Sequence, residues 1–359
     1  MKKRIILGAG QCGMKLAHLY FKTFQKKDSE LVALSTSTED SVGIPKASLI
    51  QVATEGSGKK FSNGTLIWEN NFSSLLRGIE GIKDSDIVYF ASAGGGSGSS
   101  SIKYVIDILM EASKNNRVFL IMVLPFKYEQ LPFKPNALQS INALQTLGYS
   151  SRISVMLFSN DHLSTIYTES KREGANTVNS INLEKINEHI ISSVSLVLDL
   201  ISEYHDQKRF SPFTIDELEH ESVIFSNGFI GVESIEFSGD AESTEIKFEY
   251  GKLSDAKNVI IAKAVDPRES DYIVNQSIGS FIEKIQTVSK RAKNARIMYG
   301  IIRTDKINNG TYIIIANNLD VTKYMDKIKN RIKNNVKDFL KEDSTDKILT
   351  NREQHIFDI

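Results

Sequence analysis

Two glycine-rich segments, each set between a short apolar run and an amphipathic stretch, constrain this chain more than any other feature. The first, Gly8-Ala9-Gly10-Gln11-Cys12-Gly13, follows the apolar residues 3–7 and precedes an amphipathic stretch over 14–27. The second, Ala93-Gly94-Gly95-Gly96-Ser97-Gly98-Ser99-Ser100, follows residues 86–92 (DIVYFAS) and precedes a helical pattern from about residue 102. A strand that runs through glycines into a helix leaves backbone N–H groups free at the positive end of the helix, where phosphate binds. A flexible linker would share the Gly/Ser composition but would not sit between a buried strand and a helix.

Other glycine-loop chemistries fit less well. Gly8-x-Gly10-x-x-Gly13 meets the dinucleotide fingerprint, which also requires an acidic residue at the end of the second strand. Ser35-Thr36-Ser37-Thr38 stands there, and Glu39 comes late. A serine-hydrolase elbow would need glycine at position 99 and finds serine. The loop Glu55-Gly56-Ser57-Gly58-Lys59-Lys60 fails as a Walker A motif, with Ala53 and Lys60 at two of its fixed positions. Arg303-Thr304-Asp305-Lys306 is not a guanine-reading Asn-Lys-x-Asp. A nucleotide bound here is held outside a P-loop.

The chain has 359 residues, enough for two packed domains. Short apolar runs at 3–7, 30–35, 48–53, 86–92, 117–124 and 153–158 alternate with helical stretches at 14–27, from about 102, and around 136–147. That alternation predicts strand–helix–strand units and a parallel sheet. Over 181–204, Leu183, Ile186, Ile190, Val194, Val197, Ile201 and Tyr204 recur at helical spacing. A helix that long, about 36 Å, reads as a strut between domains. Beyond Pro212, strands are expected at 222–225, 234–237, 245–250, 258–264, 297–303 and 311–316, with a helix over 271–290. The expected architecture is an α/β domain over 1–180, a central helix over 181–206, a smaller α+β domain over 207–320, and a terminal helix and tail over 321–359. In that last helix Lys323, Lys327, Lys329, Arg331, Lys333, Lys337 and Lys341 face only Asp326 and Asp338, a candidate contact for a polymer neighbour or a partner.

Charge and composition exclude several classes. Lys+Arg and Asp+Glu both number 44, so the basic excess of a general nucleic-acid binder is missing. A single cysteine excludes a disulfide framework or a Cys-rich zinc site. The apolar run over 118–124 ends at Pro125, short of the ~20 residues a bilayer requires. The N-terminal residues lack a signal-peptide core. The expectation is a cytoplasmic protein with neither membrane nor direct nucleic-acid contacts.

The loop GAGQCG after the first strand, AGGGSGS after a middle strand, and the long joining helix together resemble the tubulin/FtsZ superfamily. Gln11-Cys12 is tubulin-like, and the second loop is similar to GGGTGTG with Ser97 for threonine and Ser100 for the final glycine. The resemblance implies GTP/GDP with Mg²⁺, the phosphates lying about Gly10, Gln11, Cys12, Gly94, Gly95, Gly96, Ser97 and Gly98. Leu124-Pro125-Phe126-Lys127-Tyr128-Glu129 is similar to the FtsZ segment whose glutamate reaches the ribose, which implies that role for Glu129. Phe133, beside Lys134, stands where the family has an arginine, and Met14-Lys15 where FtsZ has an asparagine. Asn160, in Ser159-Asn160-Asp161, and Asn187 match positions near the guanine base. In the family an N-x-D-x-x-D loop projects carboxylates onto the next subunit's γ-phosphate; here Thr214-Ile215-Asp216-Glu217-Leu218-Glu219 offers Asp216 and Glu219, i and i+3, on one expected helical face. Acidic residues in a first helical turn also simply complement the helix dipole. With its long terminal helix the chain resembles the TubZ group of plasmid- and phage-encoded partition tubulins, and the Lys/Asn/Ile-rich composition is compatible with an AT-rich bacterial, plasmid or phage genome. That likeness implies a GTPase whose head-to-tail filaments move DNA through a DNA-bound adaptor. An FtsZ-like division filament and a Rossmann-type NAD(P) oxidoreductase are the alternatives.

Overall fold

The computed structural model describes residues 2–24, 28–126, 133–146, 152–173, 176–206, 208, 211–237 and 244–320, with 326, 329 and 330 beyond them. Most of the basic helix and acidic tail expected over 321–359 lies outside the described residues, as does Glu129. In the first half, β1 (Lys3–Ala9), β4 (Ser85–Ser92), β5 (Arg117–Leu124) and β6 (Ile153–Ser159) are buried over most of their length. Strands covered on both faces carry continuous apolar runs, which is why the sequence shows them so clearly. Parallel pairing with β2 (Ser29–Ser35) and the short β3 (Leu49–Gln51) gives the order β3-β2-β1-β4-β5-β6. The chain steps outward from β1 to β3 and then begins again at β4 on the other side of β1. Such a reversal opens a crevice at the carboxyl ends of the two central strands.

The predicted helices are α1 (Gly10–Thr23), α4 (Gly96–Ala112) and α5 (Phe133–Thr146), but each starts three to six residues earlier than expected, so the ends of both glycine segments are already helical. Two more, α2 (Phe61–Asn70) and α3 (Phe72–Ile79), were not legible, because their buried anchors are sparse: Trp68, Leu75 and Ile79 with few periodic neighbours. After α6 (Asn160–Ile166) the chain forms a small antiparallel hairpin of β7 (Thr168–Glu173) and β8 (Asn176–Ile181), a polar pair without an apolar alternation to announce it.

The predicted central helix is α7 (Leu183–Tyr204), capped by the Asn182 side chain accepting from the Lys185 amide. Ile186, Ile190, Val194, Val197 and Tyr204 are buried as their spacing requires, whereas Leu183 is exposed. Ser195 and Asp199 are also fully buried, so the middle of the helix is enclosed on more than one side. Asp199 forms an ion pair with Arg4 of β1 and accepts from the Tyr20 hydroxyl of α1 at 2.7 Å and the Ser195 hydroxyl at 3.4 Å. Burial, with Asp199 beside it, pushes the Tyr20 phenol up and keeps it a donor.

The second half continues the same sheet. β9 (Gly228–Ile235), β10 (Asn258–Val265), β11 (Arg296–Arg303) and β12 (Tyr312–Leu319) extend the order as β6-β9-β12-β10-β11. β9–β12 and β12–β10 are antiparallel, while β10–β11 is parallel. β6 and β9 join through only two pairs, Ser154 with Gly228 and Val155 with Phe229. The large buried apolar clusters divide by the face of this sheet: Ile5, Leu7 and Val118 share one with Val259 and Ile314, and Ile6, Phe119 and Val194 share the other with Ile260 and Ile313. The two cores are therefore two faces of one sheet, each drawing on both halves of the chain.

Four expectations for the second half are corrected. Residues 222–225 are the end of α8 (Glu217–Ile224) and its C-cap Phe225, and His220, Val223 and Ile224 are buried at helical spacing, so the run Val223-Ile224-Phe225 of β-branched and aromatic residues misled. The strand expected at 234–237 starts earlier, at Gly228. Gly231 lies within it and is required there: a Cβ would lie 2.7 Å from the Phe248 ring. Residues 245–250 form no strand. Their alternation is real, since Ile246, Phe248 and Tyr250 pack on the core, but side chains rather than backbone fill the space beside β9. The helix over 271–290 is broken at Ser277 into α9 (Asp271–Gln276) and α10 (Ile278–Arg291). No helix among the described residues is long and apolar enough to cross a membrane.

Asp199→Ala would leave Arg4 beside an empty, buried site. Urea unfolding is expected to show a loss of ~3–5 kcal/mol, whereas an exposed control such as Lys3→Ala should lose under ~1 kcal/mol.

Candidate functional site

Helix α1 begins at Gly10 and α4 at Gly96, and neither N-cap, Ala9 or Gly95, carries a side-chain cap. Two sets of first-turn N–H groups thus face the crevice at the carboxyl ends of β1 and β4, which makes it an anion site twice over. The loops touch backbone to backbone. Gly10 has φ +66°, and a Cβ on it would lie 2.7 Å from the Gly98 amide nitrogen; one on Gly98 would lie 2.8 Å from the Ala9 carbonyl oxygen. Any side chain at either position would force the two helix starts apart.

The serines following the glycines do not cap the helix. Ser99 donates back to the Gly95 carbonyl, Ser100 to Gly96 at 2.7 Å and Ser101 to Gly98 at 2.7 Å, so the N–H groups stay uncapped by them. Ser97 instead anchors the loop: its hydroxyl lies 2.5 Å from that of Thr36 and donates to Ser57 at 3.2 Å, while its carbonyl accepts from the Trp68 indole at 3.0 Å. Asn136 of α5 ties the second and third loops together. Its side-chain N–H groups donate to the Lys59 carbonyl at 2.7 Å and the Gly94 carbonyl at 2.8 Å, and its oxygen accepts from the Phe61 amide at 2.9 Å. Trp68 and Asn136 escaped the sequence reading, and Thr36 and Ser57 stood only in segments weighed against other motifs. The only signal was that the lone tryptophan stands between two glycine-rich loops.

The resulting cleft measures about 770 Å³, within the range of small-molecule sites. It brings together Gly10, Gln11, Cys12, Gly94, Gly95, Gly96, Ser97, Gly98 and Asn160. Asn160 opens α6, directly after Ser159, whose hydroxyl caps that helix by accepting from the His162 amide. The third loop, denied a Walker A role, does line the cleft through residues 54–59, with Lys59 in a left-handed conformation at φ 62°. Glu39, Asp40 and Glu55 add carboxylates to the wall. Burial, and then the neighbouring Glu39, pushes the Asp40 carboxyl up from its ordinary value. Asn187 is half-buried on α7 and does not line the cleft.

Asp216 and Glu219 lie elsewhere. Asp216 is the N-cap of α8 rather than a residue within it, and its side chain accepts from the Leu218 amide at 2.6 Å. Glu219 lies within the helix and pairs with Arg296 at 3.1 Å. Helix α8 is tied to the sheet by Glu221 and Arg117, 3.0 Å apart, and Arg117 is the first residue of β5. Pro125, just past the other end of β5, lines the cleft. The acidic turn and the glycine cleft therefore sit at opposite ends of the parallel strands, about 25 Å apart for strands of this length.

Residues 3–168 match the model of the Tubulin/FtsZ family, GTPase domain. Tubulin-like protein CetZ of Thermococcus kodakarensis is 28% identical over 211 residues, covering 55% of this chain and 51% of that protein. The chain thus spans about half the length of the curated relatives it matches. In three dimensions the chain is similar to TubZ of Bacillus thuringiensis serovar israelensis in a GTPγS-form protofilament (TM-score 0.69, 14% identity, 96% of this chain and 93% of that one). It is also similar to FtsZ of M. jannaschii (TM-score 0.61, 16% identity, 88% of both chains). Neither the matched family nor these structures supports the oxidoreductase alternative, and the end of β2 places the Thr36 hydroxyl on Ser97 where that reading needs a ribose-binding carboxylate. The glycine-loop part of the chain, residues 3–168, is thus matched to the tubulin/FtsZ family of GTPase domains, and the fold that carries it is the one TubZ and FtsZ share.

Proposed function

We propose that this chain binds GTP and GDP in the cleft between its glycine loops, polymerises head to tail, and hydrolyses GTP where a second copy completes the site. The observation that carries the reading is the pair of uncapped helix starts, locked together through Gly10 and Gly98, with an acidic turn at the far end of the same strands. Gly10, Gln11, Cys12, Gly94, Gly95, Gly96, Ser97 and Gly98 would hold the phosphates, and Asn160 would face the base side. Glu129 and Asn187 are assigned to ribose and base by the resemblance. Exposed Leu218, between Asp216 and Glu219, is an apolar side chain that a neighbouring subunit would cover.

Hydrolysis of this kind rests on positioning and charge stabilisation. Water attacks the γ-phosphorus, the bond to the β,γ-bridging oxygen breaks, and GDP and phosphate leave. The carboxylates of Asp216 and Glu219 would orient that water from the neighbouring copy. Mg²⁺ is the implied cation. Glu39, Asp40 and Glu55 offer oxygen donors at the cleft, and no cluster of three or more candidate ligands forms among the described residues. That donor set fits an ion held by phosphates plus one or two carboxylates, where it would neutralise phosphate charge. We retain the division at 1–180, 181–206, 207–320 and 321–359 as functional units. The finer reading is that the filaments partition plasmid or phage DNA through a DNA-bound adaptor, with the basic helix over 321–341 as its docking element. It rests on the likeness to TubZ, whereas the curated relative is a CetZ.

Sedimentation with GTP and with a slowly hydrolysed analogue tests assembly, and GTP turnover per chain should rise as protein concentration passes a critical value. A flat specific activity would mean a self-contained enzyme. Asp216→Ala or Glu219→Ala should slow turnover ~100-fold while the lone chain keeps its affinity for GTP; loss of that affinity would refute catalysis by the neighbouring copy. Asn136→Ala should weaken GTP about tenfold, because both loops lose their tie.

A further inference from the structure

Beyond their two paired residues, β6 and β9 diverge, leaving a gap of about 570 Å³ lined by Met156, Phe158, His162 and His189 on one side and by Glu233 and Glu249 on the other. Glu249 belongs to the 244–250 segment, which lies beside β9 without joining the sheet. Its carboxyl crosses the gap and accepts from the Ser159 backbone amide at 2.6 Å. Ser159 is the last residue of β6 and the N-cap of α6, and the next residue is Asn160, in the wall of the glycine cleft. One carboxyl from the second half of the chain therefore holds the backbone a single residue from the cleft.

We propose that Glu249 is a positioning residue for the nucleotide: by holding the Ser159 amide it fixes the β6–α6 turn so that Asn160 stays in the cleft wall. The inference rests on the cleft being the GTP site. Among the described residues Glu249 forms no ion pair, and the lysine that lines the gap, Lys247, is engaged elsewhere. Glu249 is faced by His162 of α6, His189 of α7, Glu233 of β9 and Tyr250 beside it, while Lys247 pairs with Glu245 at 2.7 Å. Burial pushes Glu249 up to about 8, offset only in part by the Ser159 and Tyr250 hydrogen bonds, and burial pushes Glu233 up to about 7. Burial, and then His162, lowers His189, so the imidazole there stays neutral above neutrality. A carboxyl whose value is raised in place contributes most below its ordinary range and loses that contribution as pH climbs through about 8. The ionised group then favours conformations in which it leaves the gap and releases Ser159.

Calorimetric titration of the full chain with GTP, from about pH 7 to about pH 9, brackets that value. Wild-type affinity should fall about threefold to tenfold across the window. Glu249→Gln keeps the acceptor oxygen without the proton, so it should bind within about twofold of wild type near pH 7 and lose the fall. Glu249→Ala should bind about tenfold more weakly at every pH. An unchanged affinity in Glu249→Ala, or a slope that survives in Glu249→Gln, as it would if Cys12 in the cleft were titrating, overturns the proposal. Should the wild-type chain bind no GTP, the nucleotide reading has failed. Amide exchange then decides the positioning claim: Ser159 and His162 must exchange at least tenfold faster in Glu249→Ala, and equal exchange rejects it.

Discussion

A carboxylate with no access to water decides where the central helix lies. Asp199 is enclosed by the packing of α7, and it is compensated by the Arg4 guanidinium and the Tyr20 and Ser195 hydroxyls. A hydrophobic residue of similar size could pack as well, whereas the Arg4–Asp199 pair also ties one register of α7 to β1 and α1, a specifying use of buried ions known from other systems. That register matters because β1 and α1 are the two elements flanking the first glycine loop. The same cluster that sets the helix therefore sets the origin of the phosphate site.

From that origin the site is assembled in two layers. Backbone contacts place the helix starts, since Gly10 and Gly98 approach too closely for any side chain. Buried polar side chains then hold the loops at fixed separations: Ser97 to Thr36 and Ser57, Trp68 to the Ser97 carbonyl, and Asn136 to both Lys59 and Gly94. Each is a neutral hydrogen bond of about 1 kcal/mol net, yet leaving its buried partner unsatisfied would cost more. The cleft is rigid where phosphates would sit and acquires its charge from Lys59 and three carboxylates at the wall.

The sequence was most legible where one element carries its own signal. The buried strands β1, β4, β5 and β6 appear as apolar runs, α7 as a long stripe, and the glycine loops as sharp interruptions between them. It was least legible where an element depends on a distant partner. Residues 222–225 have strand-like chemistry, but β12 takes them as a helix, Asn317 donating to the Val223 carbonyl. Gly228 and Gly231 carry no strand signal of their own, and their places in β9 are set by distant partners, Asn318 against Gly228 and Phe248 against Gly231. Asn136 looks like an ordinary helical asparagine, because the two carbonyls it serves come from loops 42 and 77 residues away. The continuity of one sheet through both halves left no trace in the sequence either, since only two residue pairs at β6 and β9 make it.

The glycine cleft opens at the carboxyl ends of the parallel strands, and the acidic turn of α8 sits at their amino ends. A two-fold axis between identical molecules pairs residue i of one with j of the other and j with i, so the contact closes on itself at two copies. A contact that repeats by translation along the strands instead sets the cleft of each molecule against the acidic turn of the next and leaves the row open. Any such row of molecules has two chemically unlike ends, one showing bare glycine loops and one showing bare carboxylates. Direction along the row is written into the parallel sense of β1, β4, β5 and β6, before any partner is present to read it.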